Sequence, residues 1–121
     1  KESIFIKELI KGIKVYDEEG DKAVSKIMAQ AVKELSDCDI AIGTTAGIGR
    51  GGICVITDKY LITTTSDVYS DLRENNSEEL FKRSENGIKK ALEIVLLLLN
   101  NNIDGISSLN NVEIMKNENI D

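Results

Sequence analysis

The chain has 121 residues, 41% of them hydrophobic and 30% charged, with a formal net charge of −6. This is enough for one domain with a two-layer core. The acidity excludes the broad basic face that nucleic acid or an anionic membrane would need, although a local basic site for a small anion remains allowed. The sequence contains no histidine, which removes the commonest general base and the commonest metal ligand. Two cysteines without CxxC spacing predict a reducing compartment, hence the cytoplasm. The longest apolar run, Ile94 to Leu99, is far too short for a bilayer, and the N-terminus lacks the apolar run of a signal peptide. The chain opens on Lys1 rather than Met, which suggests a fragment or a processed product.

Along the chain, residues 1–16 are ambiguous. Ile4, Phe5, Leu9, Ile10 and Ile13 are roughly helix-spaced, while Ile13 to Tyr16 could form a short strand. Asp17-Glu18-Glu19 then offers an N-cap and acids for the positive end of a helix dipole. Ala23, Val24, Ile27, Met28, Ala31, Val32 and Leu35 follow at helical spacing, which predicts an amphipathic helix ending near Asp37 with that stripe in the core. Three strands are expected next. Asp39 to Gly43 is short and apolar and so reads as central; Ile53 to Thr57 and Tyr60 to Ser66 form a hairpin about Asp58-Lys59. After a polar stretch, Asn76 with Glu79 resembles a capping box for a second helix. That helix would bury Leu80, Phe81, Ile88, Leu92, Val95 and Leu99, and its last turns are apolar nearly all round, which favours a homodimer interface. The fold class is therefore α/β, a mixed sheet of at least three strands with two main helices packed on it. A single domain is expected over residues 1–100, with a polar tail over 101–121.

The stretch from Gly43 to Gly52 holds five of the nine glycines. Between two strands, it reads either as an anion-holding loop or as a connection that only turns the chain. In the binding reading Thr44, Thr45, Gly47, Gly49, Arg50, Gly51 and Gly52 hold the ligand: bare backbone N–H groups and the guanidinium meet phosphate or carboxylate, and the threonines orient it. Gly47, Gly49 and Gly52 match the dinucleotide fingerprint by letter, but a strand follows them instead of the helix that the fingerprint must open, and no Gly-Lys-Ser/Thr completes a P-loop. Cys38 and Cys54 read as structural. Ser66, Asp67 and Asp71 are explained as well by turn formation as by a metal, so no metal or bound cofactor is assigned. Lys82, Arg83, Lys89 and Lys90 read as a solvated helix face.

From Val15 to Asp58 the sequence resembles the C-terminal CinA domain, whose family includes nicotinamide mononucleotide deamidases. More closely, Cys38 to Cys54 and Thr65-Ser66-Asp67-Val68-Tyr69 resemble segments of the HcgF-type proteins of methanogens, which serve iron–guanylylpyridinol cofactor biosynthesis for Fe-hydrogenase. The resemblance covers roughly residues 13–98. It implies a small-molecule nucleotide ligand of the guanylylpyridinol type, and carboxylate activation through a cysteine thioester in the full-length family. That cysteine belongs to an N-terminal strand–turn–helix without a counterpart here, so neither Cys38 nor Cys54 inherits the role and the catalytic residue stays unknown. An amidohydrolase of the deamidase type and a non-enzymatic dimerising module are the alternative readings.

Overall fold

The computed structural model describes residues 6–10, 13–74 and 77–117. A hairpin of β1 (Ile6–Ile10) and β2 (Ile13–Tyr16) leads into α1 (Glu18–Ser36). Then come β3 (Ile40–Thr45), the two-residue β4 (Ile48–Gly49), β5 (Gly52–Thr57), β6 (Tyr60–Thr64) and the two-residue β7 (Ser70–Asp71). The long α2 (Ser77–Leu99), the short α3 (Ile103–Ser107) and β8 (Glu113–Lys116) complete the order. The main sheet runs β3-β5-β6-β8, and β4 pairs with β7 in a small separate ladder. The expected strand over Ile13 to Tyr16 is present; Ile4, Phe5 and the Asn76 cap lie outside the described residues.

The expected α/β architecture, at least three strands with two main helices, is realised as three layers. All ladders among the described residues are antiparallel, so a parallel member of the expected mixed sheet is not found there. The connections from β3 to β5 and from β5 to β6 are too short for the crossover that a parallel pair requires. β5 is the central strand, buried on both faces from Gly52 to Ile56, whereas β3, expected to be central, is terminal among the described strands. Alternation along β5 divides the core. Ile53 and Val55 join Ile62 of β6, Ala91 and Ile94 of α2, and Ile106 of α3. Cys54 and Ile56 face the other way, with Leu61 of β6 and Ala29 of α1.

Helix α1 begins as expected, with the Asp17 carboxylate accepting the Gly20 N–H at 2.9 Å, and ends at Asp37 in a left-handed conformation. Its buried face, however, is Gly20, Asp21, Ser25 and Ala29. Of the apolar stripe expected in the core, Ala23 and Val24 are half-buried and the rest is exposed: Ile27 is 63% exposed and Leu35 87%. The cause is proximity. A Cβ added at Gly43 of β3 would run into the Ser25 carbonyl, and one at Gly52 of β5 into the Asp21 carbonyl. The helix backbone thus lies directly on two strand backbones, and only small side chains fit between them. In α2 the interior likewise takes Arg83, Lys90, Ala91 and Ile94, while Phe81, Ile88, Leu92, Leu96 and Leu99 are exposed.

Of the segment expected as a polar tail, the described residues 101–117 are instead part of the domain. Asn102 caps α3 by accepting the Gly105 N–H at 2.9 Å, Ile106 is fully buried, and β8 extends the sheet beside β6. Five of its apolar residues, Ile103, Ile106, Leu109, Val112 and Ile114, are spread thinly among asparagines yet reach the core, whereas Met115 is exposed.

Two substitutions separate this packing from the one the hydrophobic pattern suggests. Gly43→Ala is expected to destabilise by about 2 kcal/mol or more through overpacking against α1. Leu35→Ala is expected to stay within about 0.5 kcal/mol, as at other exposed sites. Urea denaturation of the two variants checks both values.

Candidate functional site

The glycine-rich connection lies where β3 ends, β5 begins and the middle of α2 passes. These elements enclose a cavity of about 260 Å³. It is lined by Thr44, Thr45, Ala46, Arg50, Gly51, Gly52 and Ile53 from the loop and its strands, by Ser66, and by Arg83, Ser84, Gly87 and Ile88 of α2. Five of the seven residues expected to hold a ligand therefore come together. Gly47 and Gly49 do not join them. A Cβ at Gly47 would strike the Tyr16 carbonyl, and one at Gly49 would meet the Glu18 side chain at 3.1 Å. Both serve the close approach of the loop to the start of α1. Gly49 and Gly51 also carry the positive φ values of the loop, 131° and 84°.

Arg50 is present but engaged. Its Nε donates to Glu18 Oε1 at 3.1 Å and its Nη2 to Glu18 Oε2 at 2.8 Å, and its backbone N–H donates to the same carboxylate at 3.1 Å. This hydrogen-bonded guanidinium holds the Glu18 carboxyl below its usual value. Sequence reading took Glu18 only as a first-turn acid; in space it is also the orienting partner of Arg50. Thr45 is engaged too, its hydroxyl donating to the Asp21 carbonyl at 2.7 Å.

The residue that sequence reading missed is Arg83. It was expected on a solvated face together with Lys82, Lys89 and Lys90, but it is 4% exposed. Its Nη1 lies 2.8 Å from the Gly47 carbonyl, 3.0 Å from that of Gly49 and 2.9 Å from that of Ser70. One guanidinium thus clasps both β4 and β7. Lys90, 5% exposed, does the same one layer along: its Nζ donates to Thr65 O, Asp67 Oδ1 and Asn110 O at 2.9, 3.1 and 2.7 Å. Lys82 and Lys89 are exposed as expected. The one available signal was spacing, because residues 83, 87, 90, 91 and 94 share a helix face with the core residues Ala91 and Ile94.

Beneath the loop lies Asp21, also buried, whose Oδ2 has no hydrogen-bond partner. Burial pushes its carboxyl up to about 6; Thr45, the Gly47 backbone and the Arg83 charge pull the other way. Asp71, considered for metal binding, is bound by Arg73 through contacts of 2.6 to 3.1 Å, and Asp67 accepts from Lys90. Cys54 is sealed in the core, where burial pushes its thiol up to about 11. Cys38 precedes β3, at the far end of that strand from the cavity.

Removing the clasp should be costly. Arg83→Met leaves three loop carbonyls and Asp21 without their cation, and a loss of about 3 kcal/mol or more is expected in urea denaturation. Asp21 gives a signature in pH. A carboxyl whose pKa is raised in the fold binds its proton more tightly when folded. The native state therefore loses stability as pH rises from about 4 to about 6, by about 3 kcal/mol in all, and the loss is constant above that range. Subtracting the stability profile of Asp21→Asn from that of the parent should yield this falling step.

The family described as FeGP cofactor biosynthesis protein HcgF matches residues 5–99. Among curated proteins, the chain is 50% identical over 86 residues to a UPF0254 protein of Methanococcus maripaludis strain C7, covering 71% of this chain and 51% of that one. It is 48% identical over 86 residues to a UPF0254 protein of Methanothermobacter thermautotrophicus strain Winter, covering 71% and 53%. A UPF0254 protein of Methanocaldococcus jannaschii is 46% identical over 84 residues, covering 68% and 50%. The chain thus spans about half the length of these curated relatives. The matched region contains the glycine loop, both long helices and every wall of the cavity, and on this ground the chain belongs to the HcgF family of FeGP cofactor biosynthesis.

Proposed function

We propose that this chain carries the ligand-cradling portion of an HcgF-type protein, and that the cavity under the glycine loop takes a guanylylpyridinol-type nucleotide. The observation that carries this reading is the convergence of Thr44, Thr45, Arg50, Gly51 and Gly52 with Ser66, Ser84 and Gly87 on one cavity in a member of this family. A small-molecule site is expected to combine apolar walls with a few placed polar groups. Here Ile53 and Ile88 supply the apolar surface for a flat ring, and hydroxyls with Arg50 supply the polar contacts.

Two details sharpen the proposal. The first is Gly87, in the middle of α2, where glycine costs about 1 kcal/mol relative to alanine. A Cβ there would meet Ser66 Cβ at 3.6 Å and Ile53 Cδ1 at 3.8 Å, ordinary contacts that create no clash. Its absence leaves room in the cavity at the expense of helix stability. The second is Glu18. An incoming phosphate or carboxylate competes with it for the Arg50 guanidinium, so Glu18 orients Arg50 and limits anion affinity together. Carboxylate activation through a thioester belongs, in this reading, to the whole protein. Neither cysteine of this chain is suited to it: the Cys54 thiol is held protonated by burial, and Cys38 stands at the wrong end of β3.

Calorimetric titration of the folded chain with guanylylpyridinol tests the site. Binding is expected, weakened about tenfold by Arg50→Ala and strengthened severalfold by Glu18→Gln. Gly87→Ala should raise stability by up to about 1 kcal/mol while weakening binding. A folded chain that does not bind, or binding indifferent to all three substitutions, would remove the proposal.

A further inference from the structure

The cavity under the glycine loop, at about 260 Å³, is smaller than the roughly 300–1,000 Å³ of pockets that enclose a whole small-molecule ligand. A nucleotide joined to a further ring outgrows it. A second cavity, of about 340 Å³, lies next to it. The same two stretches of chain line both. Ser66 and Gly87 face the first cavity, and Asp67 and Asn86, one residue away in each case, face the second. Asp67 also stands near enough to Arg50 for its charge to favour that guanidinium. Together the two volumes fall well inside the range that such a ligand needs.

The second cavity differs in kind from the first. Its lining carries two carboxylates, Asp67 and Glu93, and two ammonium groups, Lys89 and Lys90, and so has no net charge. A phosphate finds no surplus cation there. Lys90 commits its three N–H donors to Thr65 O, Asp67 Oδ1 and Asn110 O, and Lys89 lies 3.9 Å from Glu85. A lining of mixed donors and acceptors without net charge suits a neutral polar group. Among the described residues, two groups stay unpaired side by side. Lys90 takes only Oδ1 of Asp67, which leaves Oδ2 free to accept. Asn86 uses its carbonyl oxygen, which accepts the Asp67 N–H at 2.7 Å, and its N–H₂ is left free. That bond also fixes the Asn86 amide beside the Asp67 backbone.

We propose that the second cavity receives the base of the nucleotide and selects guanine, with the Asp67 carboxylate accepting from the base's amino group and ring N–H, and the Asn86 amide donating to the neighbouring carbonyl. The inference rests on the nucleotide reading of the first cavity. Its ground is complementarity. Guanine presents an amino group, a ring N–H and a carbonyl oxygen in a row. A carboxylate beside an amide N–H₂ offers the matching acceptors and donor. Xanthine has a carbonyl in place of the amino group, and adenine has an unprotonated ring nitrogen at that edge. Each sets a lone pair against the carboxylate, which a site built from polar groups penalises heavily. Lys90, 5% exposed, has the positioning role: it anchors the carboxylate through one oxygen and leaves the other to the ligand.

The test is a calorimetric titration of the folded chain with guanosine, inosine and xanthosine monophosphates, run beside guanylylpyridinol. Guanosine monophosphate is expected to bind at least about tenfold tighter than inosine monophosphate, which lacks the amino group, and than xanthosine monophosphate. Asp67→Asn keeps an oxygen for Lys90 and turns the other acceptor into a donor. It should weaken guanosine monophosphate about tenfold and tighten xanthosine monophosphate, so that the order of the two reverses. Equal affinity of the parent for guanosine and inosine monophosphates overturns the inference and requires no variant to fold. So does an Asp67→Asn chain that weakens all three alike. If guanylylpyridinol still binds in those cases with its dependence on Arg50, the reading of the first cavity stands without this one. If neither it nor any monophosphate binds, both fall.

Discussion

The contact on which the fold depends is backbone against backbone. Helix α1 is pressed onto β3 and β5 at Gly43 and Gly52, with Ser25 and Ala29 as the helix's share of the contact. Helices usually stand off a sheet by the thickness of their side chains. Here the interval has been reduced until only hydrogen atoms and small groups fit, and dispersion across that close interface replaces the burial of large aliphatic side chains. The same approach brings the first turn of α1 against the glycine loop, so that Glu18, Asp21 and Tyr16 touch Gly49, Gly52 and Gly47. The geometry of the loop therefore follows from the packing of the helix.

Two buried cations complete the scaffold on the other face. Arg83 reaches from α2 to the two-residue β4–β7 ladder and the carbonyl just before it, and Lys90 to the connections at Thr65, Asp67 and Asn110, with three acceptors for each side chain. In a low-dielectric interior an unpaired carbonyl is expensive, and a charged donor is a strong partner for several of them at once. This explains how residues 65–74, polar and poor in regular structure, hold one shape beside the cavity. It also explains why a chain with net charge −6 keeps two of its cations inside.

The cavity lies at the end of β3, which among the described strands pairs with β5 alone. The ligand contacts that this chain supplies, threonine hydroxyls, glycine backbone and Arg50, are those of a cradle. Reactive groups are a different matter: the described thiols are either sealed or remote from the cradle.

Much of this was legible from residue order. The Asp17 cap, the span of α1, the β5–β6 hairpin about Asp58-Lys59 and the extent of α2 follow from local rules of capping, propensity and turn formation, which act over a few residues. The family resemblance was legible from the run between Cys38 and Cys54, and five cavity residues were among those it pointed to. What residue order could not decide was orientation. Periodicity showed that α1 and α2 each have an apolar stripe, but not that Gly43 and Gly52 would draw the small-residue face of α1 inward and leave Ile27 and Leu35 outside. Nor could it show that Arg83 would be buried, since a cation is buried only when carbonyls from distant loops converge on it. Residues 103–116 joined the core through five scattered apolar residues, too sparse for any pattern. Local chemistry determined where the helices and strands are and which family they belong to; long-range packing alone decided which faces they bury and which they leave exposed.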